Sequence, residues 1–292
     1  MSSILRKSAA TLAALALAGT MAACGDGDDS GDSKELTIGY INWDEAVAAS
    51  NMWKLVLEEE GYEVELQELE PGLIFEGMAN GDIDFFLDGW LPTTHASYME
   101  TYSDDLEIIG VWYDNAALSI AVPAYIDQVN SLEDLAANAD LFDGEIIGIE
   151  EGAGLTKATQ EEVIPGYELE GVMDLITSGT PAMLSELDTA IANEEPIVVT
   201  LWHPHWAYAN YELKDLEDPL GALGGAEEVT TLARSGFGED FPEVTAMLEK
   251  FKMDDSQLGS LEDYIFNQNP DDHEAGAQAW LDANPDYIDT LK

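Results

Sequence analysis

Basic side chains are nearly missing from this sequence. Lys and Arg number 10 against 60 Asp and Glu in 292 residues, a formal net charge of −50. Nucleic acid is therefore excluded as a partner, because binding it depends on Lys and Arg facing phosphate. Repulsion on this scale opposes compaction at low ionic strength. The chain is expected to work in a salty medium that screens its charge; the alternative is an acidic surface kept for solubility. Cysteine is scarcer still. Cys24 is the sole one, so no disulfide can close within the chain. Histidine is also rare, and His203 and His205, which flank Pro204, have no cysteine or third histidine at ligand spacing. No metal site and no cofactor are expected. Neither a Gly-x-Ser-x-Gly elbow nor a His-Glu-x-x-His helix occurs, which weighs against a secreted hydrolase. With so many carboxylates some pair always looks catalytic, so pairing alone carries no argument.

Long apolar runs are confined to the start. Arg6 and Lys7 precede an Ala/Leu-rich stretch ending at Ala23, the layout of a secretory signal over residues 1–23. Its apolar middle is shorter than the ~20 residues of a membrane-spanning helix. Met21-Ala22-Ala23-Cys24-Gly25 resembles the lipobox of bacterial lipoproteins, in which the cysteine becomes the lipidated amino terminus. Residues 24–34 then form a tether, since Gly25 to Ser33 are all Gly, Asp and Ser. This places the mature chain on the outer face of the cytoplasmic membrane, held by a lipid anchor.

What is present reads as α/β. A length of 292 residues exceeds what one compact core usually holds, and 46% hydrophobic content suffices for folding, so two lobes are expected. Strands are predicted over Leu36 to Ile41, Glu63 to Leu69, Ile83 to Leu87, Leu106 to Trp112 and Leu118 to Val122. Helices are predicted from Asp44 to the Gly61 stop and over Leu73 to Asn80. A second series follows, with strands Glu145 to Ile149, Pro196 to Leu201 and Glu228 to Ala233. Its helices lie near Leu155 to Val163 and Ala182 to Asn193, and Phe241 to Lys292 is helical. One lobe would comprise residues 35–121 plus 231–292 and the other 122–230, with crossings near Val122 to Tyr125 and Val229 to Leu232.

Three of the 7 tryptophans sit where an apolar run gives way to turn chemistry: Trp43, Trp90 and Trp202. Ligands of open α/β sheets bind just outside the carboxyl ends of strands. Indole faces there suit a poorly hydrated cation such as a quaternary ammonium group. Pro92 fits the first turn of a helix, which puts His95 about one turn beyond Trp90, within reach of the same cleft. Gly148 to Thr156 leaves a strand through a glycine turn into a helix, so the amides of Gly154 and Leu155 face an anion. It lacks the third glycine of a dinucleotide fingerprint and the Gly-Lys-Ser/Thr of a P-loop. Trp53, Trp112 and Trp280 read as core. Trp206, on a helix that His203-Pro204 would start, reads as packing or cleft rim.

Together, Gly39-Tyr-Ile-Asn-Trp43, Trp90-Leu-Pro-Thr-Thr-His95, Gly148-Ile-Glu-Glu-Gly-Ala-Gly154 and Leu201-Trp-His-Pro-His-Trp206 resemble the glycine betaine-binding proteins of bacterial ABC importers. Glu227 to Phe237 and the Trp280-Leu-Asp-Ala-Asn-Pro segment extend the likeness over nearly the whole mature chain. The resemblance implies a two-lobed periplasmic-binding-protein-like fold with a hinged ligand cleft. It implies a non-enzymatic, monomeric receptor that delivers a compatible solute to a permease driven by an ATPase. Trp43, Trp90 and Trp202 would form the family's tryptophan prism, Gly154 and Leu155 its carboxylate-binding amides, and His95 its carboxylate-binding histidine. Glycine betaine leads, with proline betaine next; carnitine, choline and ectoine stay open.

Overall fold

The computed structural model describes residues 34–292. The signal segment, Cys24 and the tether up to Ser33 lie outside the described residues. Among the described residues no helix is long and apolar enough to cross a membrane.

The chain starts with a β–α–β unit. β1 (Glu35–Tyr40) and β2 (Glu63–Glu68) pair in parallel from Glu35–Glu63 to Tyr40–Glu68, joined by the helix α1 (Asp44–Glu59). Asp44 and Glu45 occupy the first turn of α1, where carboxylates complement the helix dipole. α2 (Pro71–Asn80) has Pro71 at its start and Gly81 at its end with φ +79°, a left-handed stop open to glycine. β3 (Phe85–Leu91) is buried on both faces from Phe85 through Trp90, as a central strand covered by helices must be.

β4 (Leu106–Pro123) departs from the sequence expectation: one 18-residue strand replaces the two expected. Between the two expected strands, the polar pair Asp114-Asn115 lies in a bulge. The register shifts between Val111 and Ala116, and Asn115 sits at φ +69°. The remaining strands are β5 (Glu145–Ile147), β6 (Asp174–Ile176), β7 (Val199–His203), β8 (Leu213–Asp215) and β9 (Glu227–Arg234). Their order is β2-β1-β3-β9-β4-β7-β5-β6, with β8 also on β4. Leu106 to Ala116 of β4 pair with β9, whereas Ala117 to Ala121 pair with β7 and Ala121 to Pro123 with β8. β4 therefore runs through both halves of a two-lobed α/β fold.

The predicted core tryptophans are core. Trp53 packs edge-on against Phe251 at 5.4 Å, Trp112 stacks on the same ring at 4.9 Å, and Trp280 meets Tyr287 edge-on at 5.0 Å. Two helix starts move. Pro92 lies in a turn after β3, and α3 (Ala96–Thr101) begins four residues later. The turn is closed by the His95 amide, which donates to the Trp90 carbonyl at 3.0 Å. Likewise His203 ends β7, and the next helix covers only Ala207–Asn210.

Candidate functional site

The three strand-end tryptophans meet. Trp43 caps α1 just past the end of β1, Trp90 lies in β3 and Trp202 in β7. Together with Glu45, Thr94, Leu118, Ile149, Ala153 and Leu155 they line one small cavity. Trp43 and Trp202, from different halves of the sheet, approach to 6.4 Å between ring centroids with planes tilted by 55°. The room left between the rings is small, so the site selects a compact molecule.

Each indole is held by its edge. Trp43 Nε1 donates to Glu150 Oε2 at 3.0 Å, Trp90 Nε1 to Asp88 Oδ1 at 2.8 Å and Trp202 Nε1 to Glu45 Oε2 at 2.9 Å. Pinning the N–H leaves the ring faces for contact with a cation. Burial pushes the Glu45 carboxyl up to about 8, with the charge of Asp44 adding and the Trp202 N–H opposing. Burial also lifts Asp88 well above the usual carboxylate range, reinforced by Glu45.

His95 is completely buried, and its Nδ1 accepts the Trp90 amide at 2.9 Å. The proton must then reside on Nε2, which has no hydrogen-bond partner among the described residues. Burial holds the ring down to about 3, so it is neutral near pH 7 and donates as an uncharged N–H. It stacks on Trp43 and packs edge-on against Phe75 at 5.3 Å. It therefore adjoins a cavity-lining indole, and the cavity wall itself is made by others.

Gly154 opens the helix α4 (Gly154–Ala158), and Leu155 beside it lines the cavity. A Cβ on Gly154 would fall 2.4 Å from Thr94 Cγ2 and 2.6 Å from the Thr94 carbonyl, so the two halves touch there through a hydrogen atom alone. The Thr94 side is fixed by Glu227, which accepts the amides of Thr93 at 2.7 Å and Thr94 at 2.8 Å together with the Thr94 hydroxyl.

The His-x-His pair diverges. His203 Nε2 meets Asp215 at 2.7 Å and stacks on Tyr208, while His205 lies edge-on to Trp202 at 4.7 Å with Nε2 2.8 Å from Asp44. Trp206 packs between His205 and Tyr211. Sequence reasoning missed Glu45, Asp88 and Glu150. For Asp88 a signal existed, since residues two apart in a strand share a face with Trp90; for Glu45 and Glu150 the partners are 157 and 107 residues away.

Two α/β halves that share a strand and enclose a small, mainly apolar, indole-walled cavity define a solute-binding receptor. The chain belongs to the family described as the substrate binding domain of ABC-type glycine betaine transport systems, whose model matches residues 34–283. Proteins of this family are extracytoplasmic receptors that bind small quaternary ammonium ligands and work with an ABC permease and its ATPase; they are not enzymes. The chain is 36% identical over 143 residues to the glycine betaine/carnitine transport binding protein GbuC of Listeria monocytogenes, 49% of this chain and 47% of that one, so it spans about half the length of this curated relative. The glycine/betaine/L-proline-binding protein ProX of Borrelia burgdorferi superposes with a TM-score of 0.83 at 31% identity, covering 88% of this chain and 96% of that one. Lactococcal OpuAC, closed on glycine betaine, gives 0.80 at 31% identity, covering 88% and 98%. A choline-binding protein of an ABC transporter in complex with choline gives 0.81 at 27% identity, covering 89% and 91%.

Proposed function

We propose that this receptor captures glycine betaine, with proline betaine next in preference, and presents it to a membrane permease for osmoprotectant uptake. The observation that carries the reading is the convergence of Trp43, Trp90 and Trp202 on one cavity. A trimethylammonium group cannot donate a hydrogen bond. It is held by cation–π attraction and apolar contact, each desolvated indole contributing roughly 0.5–2 kcal/mol. For the carboxylate, the reading assigns the unpartnered Nε2 of His95 and the amides of Gly154 and Leu155. A buried donor without an acceptor costs roughly 1–3 kcal/mol, which an anionic ligand oxygen recovers. The lobes close about β4 and the connection into β9, and Cys24 carries a lipid that keeps the receptor at the outer face of the cytoplasmic membrane.

Choline is the second reading. One observation favours it: the carboxyl of Glu45 lines the cavity with Oε1 unpartnered among the described residues, an acceptor for the hydroxyl that choline has and glycine betaine lacks. Titrating glycine betaine, proline betaine, choline, carnitine and ectoine against intrinsic tryptophan fluorescence ranks the two. Tightest binding of a betaine supports the first reading, tightest binding of choline the second, and silence toward all five refutes both.

A further inference from the structure

The indole–carboxylate bonds are arranged reciprocally across the cleft. Trp43 belongs to the half built on β1 and donates to Glu150, which follows β5 in the other half; Trp202 belongs to β7 and donates back to Glu45 on α1. Each half thus lends one ring and one acceptor to its opposite. Glu150 is itself held in its own half, where Oε1 accepts the Thr180 amide at 2.8 Å and Oε2 the Thr180 hydroxyl at 3.0 Å. Glu45 is held by its place in the first turn of α1.

All the carboxyl groups concerned are almost fully buried. Parting the two halves would break both indole bonds and return donor and acceptor to water. Such directed bonds orient the ring plane as well as attract it. Two further contacts run the same way: Tyr98 Oη donates to the Gly152 carbonyl at 3.1 Å, and His205 Nε2 lies 2.8 Å from Asp44 Oδ2. Trp90 is the exception. Its acceptor, Asp88, lies two residues away in the same strand.

We propose that Glu150 and Glu45 are positioning residues that latch the closed receptor, turning Trp43 and Trp202 into the cage only when the halves meet. The latch rests on the functional reading above, because a cage without a ligand has nothing to retain. It acts on release rather than on encounter, since the bonds form after the ligand has entered.

The test is a double-mutant cycle on ligand dissociation, read by stopped-flow tryptophan fluorescence with the tightest ligand of the five. Glu150→Gln keeps the volume of the side chain, and Trp43→Phe keeps an aromatic face without the N–H. Glu150→Gln is expected to speed dissociation about fivefold or more in the Trp43 protein, while changing association less than twofold. In the Trp43→Phe background the same change should speed dissociation less than twofold, because the bond it weakens is already gone. Glu45→Gln with Trp202→Phe should behave likewise. Far-UV circular dichroism and melting of the ligand-free variants exclude general damage. Equal effects in both backgrounds, or unchanged dissociation, overturn the latch while leaving the receptor reading intact. A wild-type protein that binds none of the five overturns the receptor reading, and the latch with it.

Discussion

Trp43 and His95 lie face to face, their ring planes 4° apart and their centroids separated by 5.9 Å. The stack joins the indole that lines the cavity to an imidazole locked from behind by the Trp90 amide. His95 thereby fixes Trp43 from one side while Glu150 fixes its edge. The same imidazole keeps Nε2 without a hydrogen-bond partner among the described residues, the donor that the proposed carboxylate contact would use.

His95→Ala is expected to weaken glycine betaine more than choline, by about tenfold against threefold or less. Both ligands lose the support of Trp43, and only the betaine loses a donor for its carboxylate. A tenfold loss corresponds to about 1.4 kcal/mol. Isothermal calorimetry with both ligands checks it, and equal losses would confine His95 to supporting the indole.

Gly154→Ala should abolish tight binding while leaving the ligand-free protein stable. The added methyl group would collide with Thr94 only where the two halves touch. Alanine otherwise suits a helix start better than glycine. An affinity loss of at least tenfold with an unchanged melting temperature is the expected pair of results. Wild-type affinity would mean that closure does not bring these residues together.

Stability should fall as pH rises from about 4.5 to about 8, and Glu45 should supply part of that slope. Its folded-state pKa, lifted from 4.5 to about 8 by burial, exceeds the unfolded value. The folded protein then holds more protons than the unfolded chain across that window, so raising the pH favours unfolding. Urea unfolding near pH 5 and pH 8 should show a smaller difference for Glu45→Gln than for the natural protein. Equal differences would assign the slope to other carboxylates.

Melting should rise steeply between dilute buffer and molar salt, because a net charge of −50 repels itself at every unscreened distance. Scanning calorimetry across a sodium chloride series reads this directly. A flat series would leave solubility as the role of the acidic surface.

Much of this was legible before any coordinates. Strand-end tryptophans announce themselves, since an indole followed by turn residues has no obvious core to fill, and Trp43, Trp90 and Trp202 do share a cavity. Trp53 and Trp280, set on apolar helical stripes, went to the interior as their spacing required, and Trp112 is buried as expected. The carboxyl partners were hidden because nothing local separates Glu45 or Glu150 from the other acids; only folding over 157 and 107 residues makes them acceptors. β4 reads as two strands, Leu106 to Trp112 and Leu118 to Val122, because polar Asp114 and Asn115 interrupt the apolar pattern between them, and only the pairing of both flanks joins the two. Pro92 suited a helix start by local rules alone, and the strand-side bonds of Trp90 and His95 overrode it.

The bond from Trp90 to Asp88 stays inside a single strand, which gives the proposed cage an order of assembly. On that proposal the Trp90 wall would stand ready however far apart the lobes swing, one aromatic surface prepared for an ammonium group to land on. The remaining walls would then gather around a guest already docked, so that the receptor commits from one fixed side rather than shutting on an empty room.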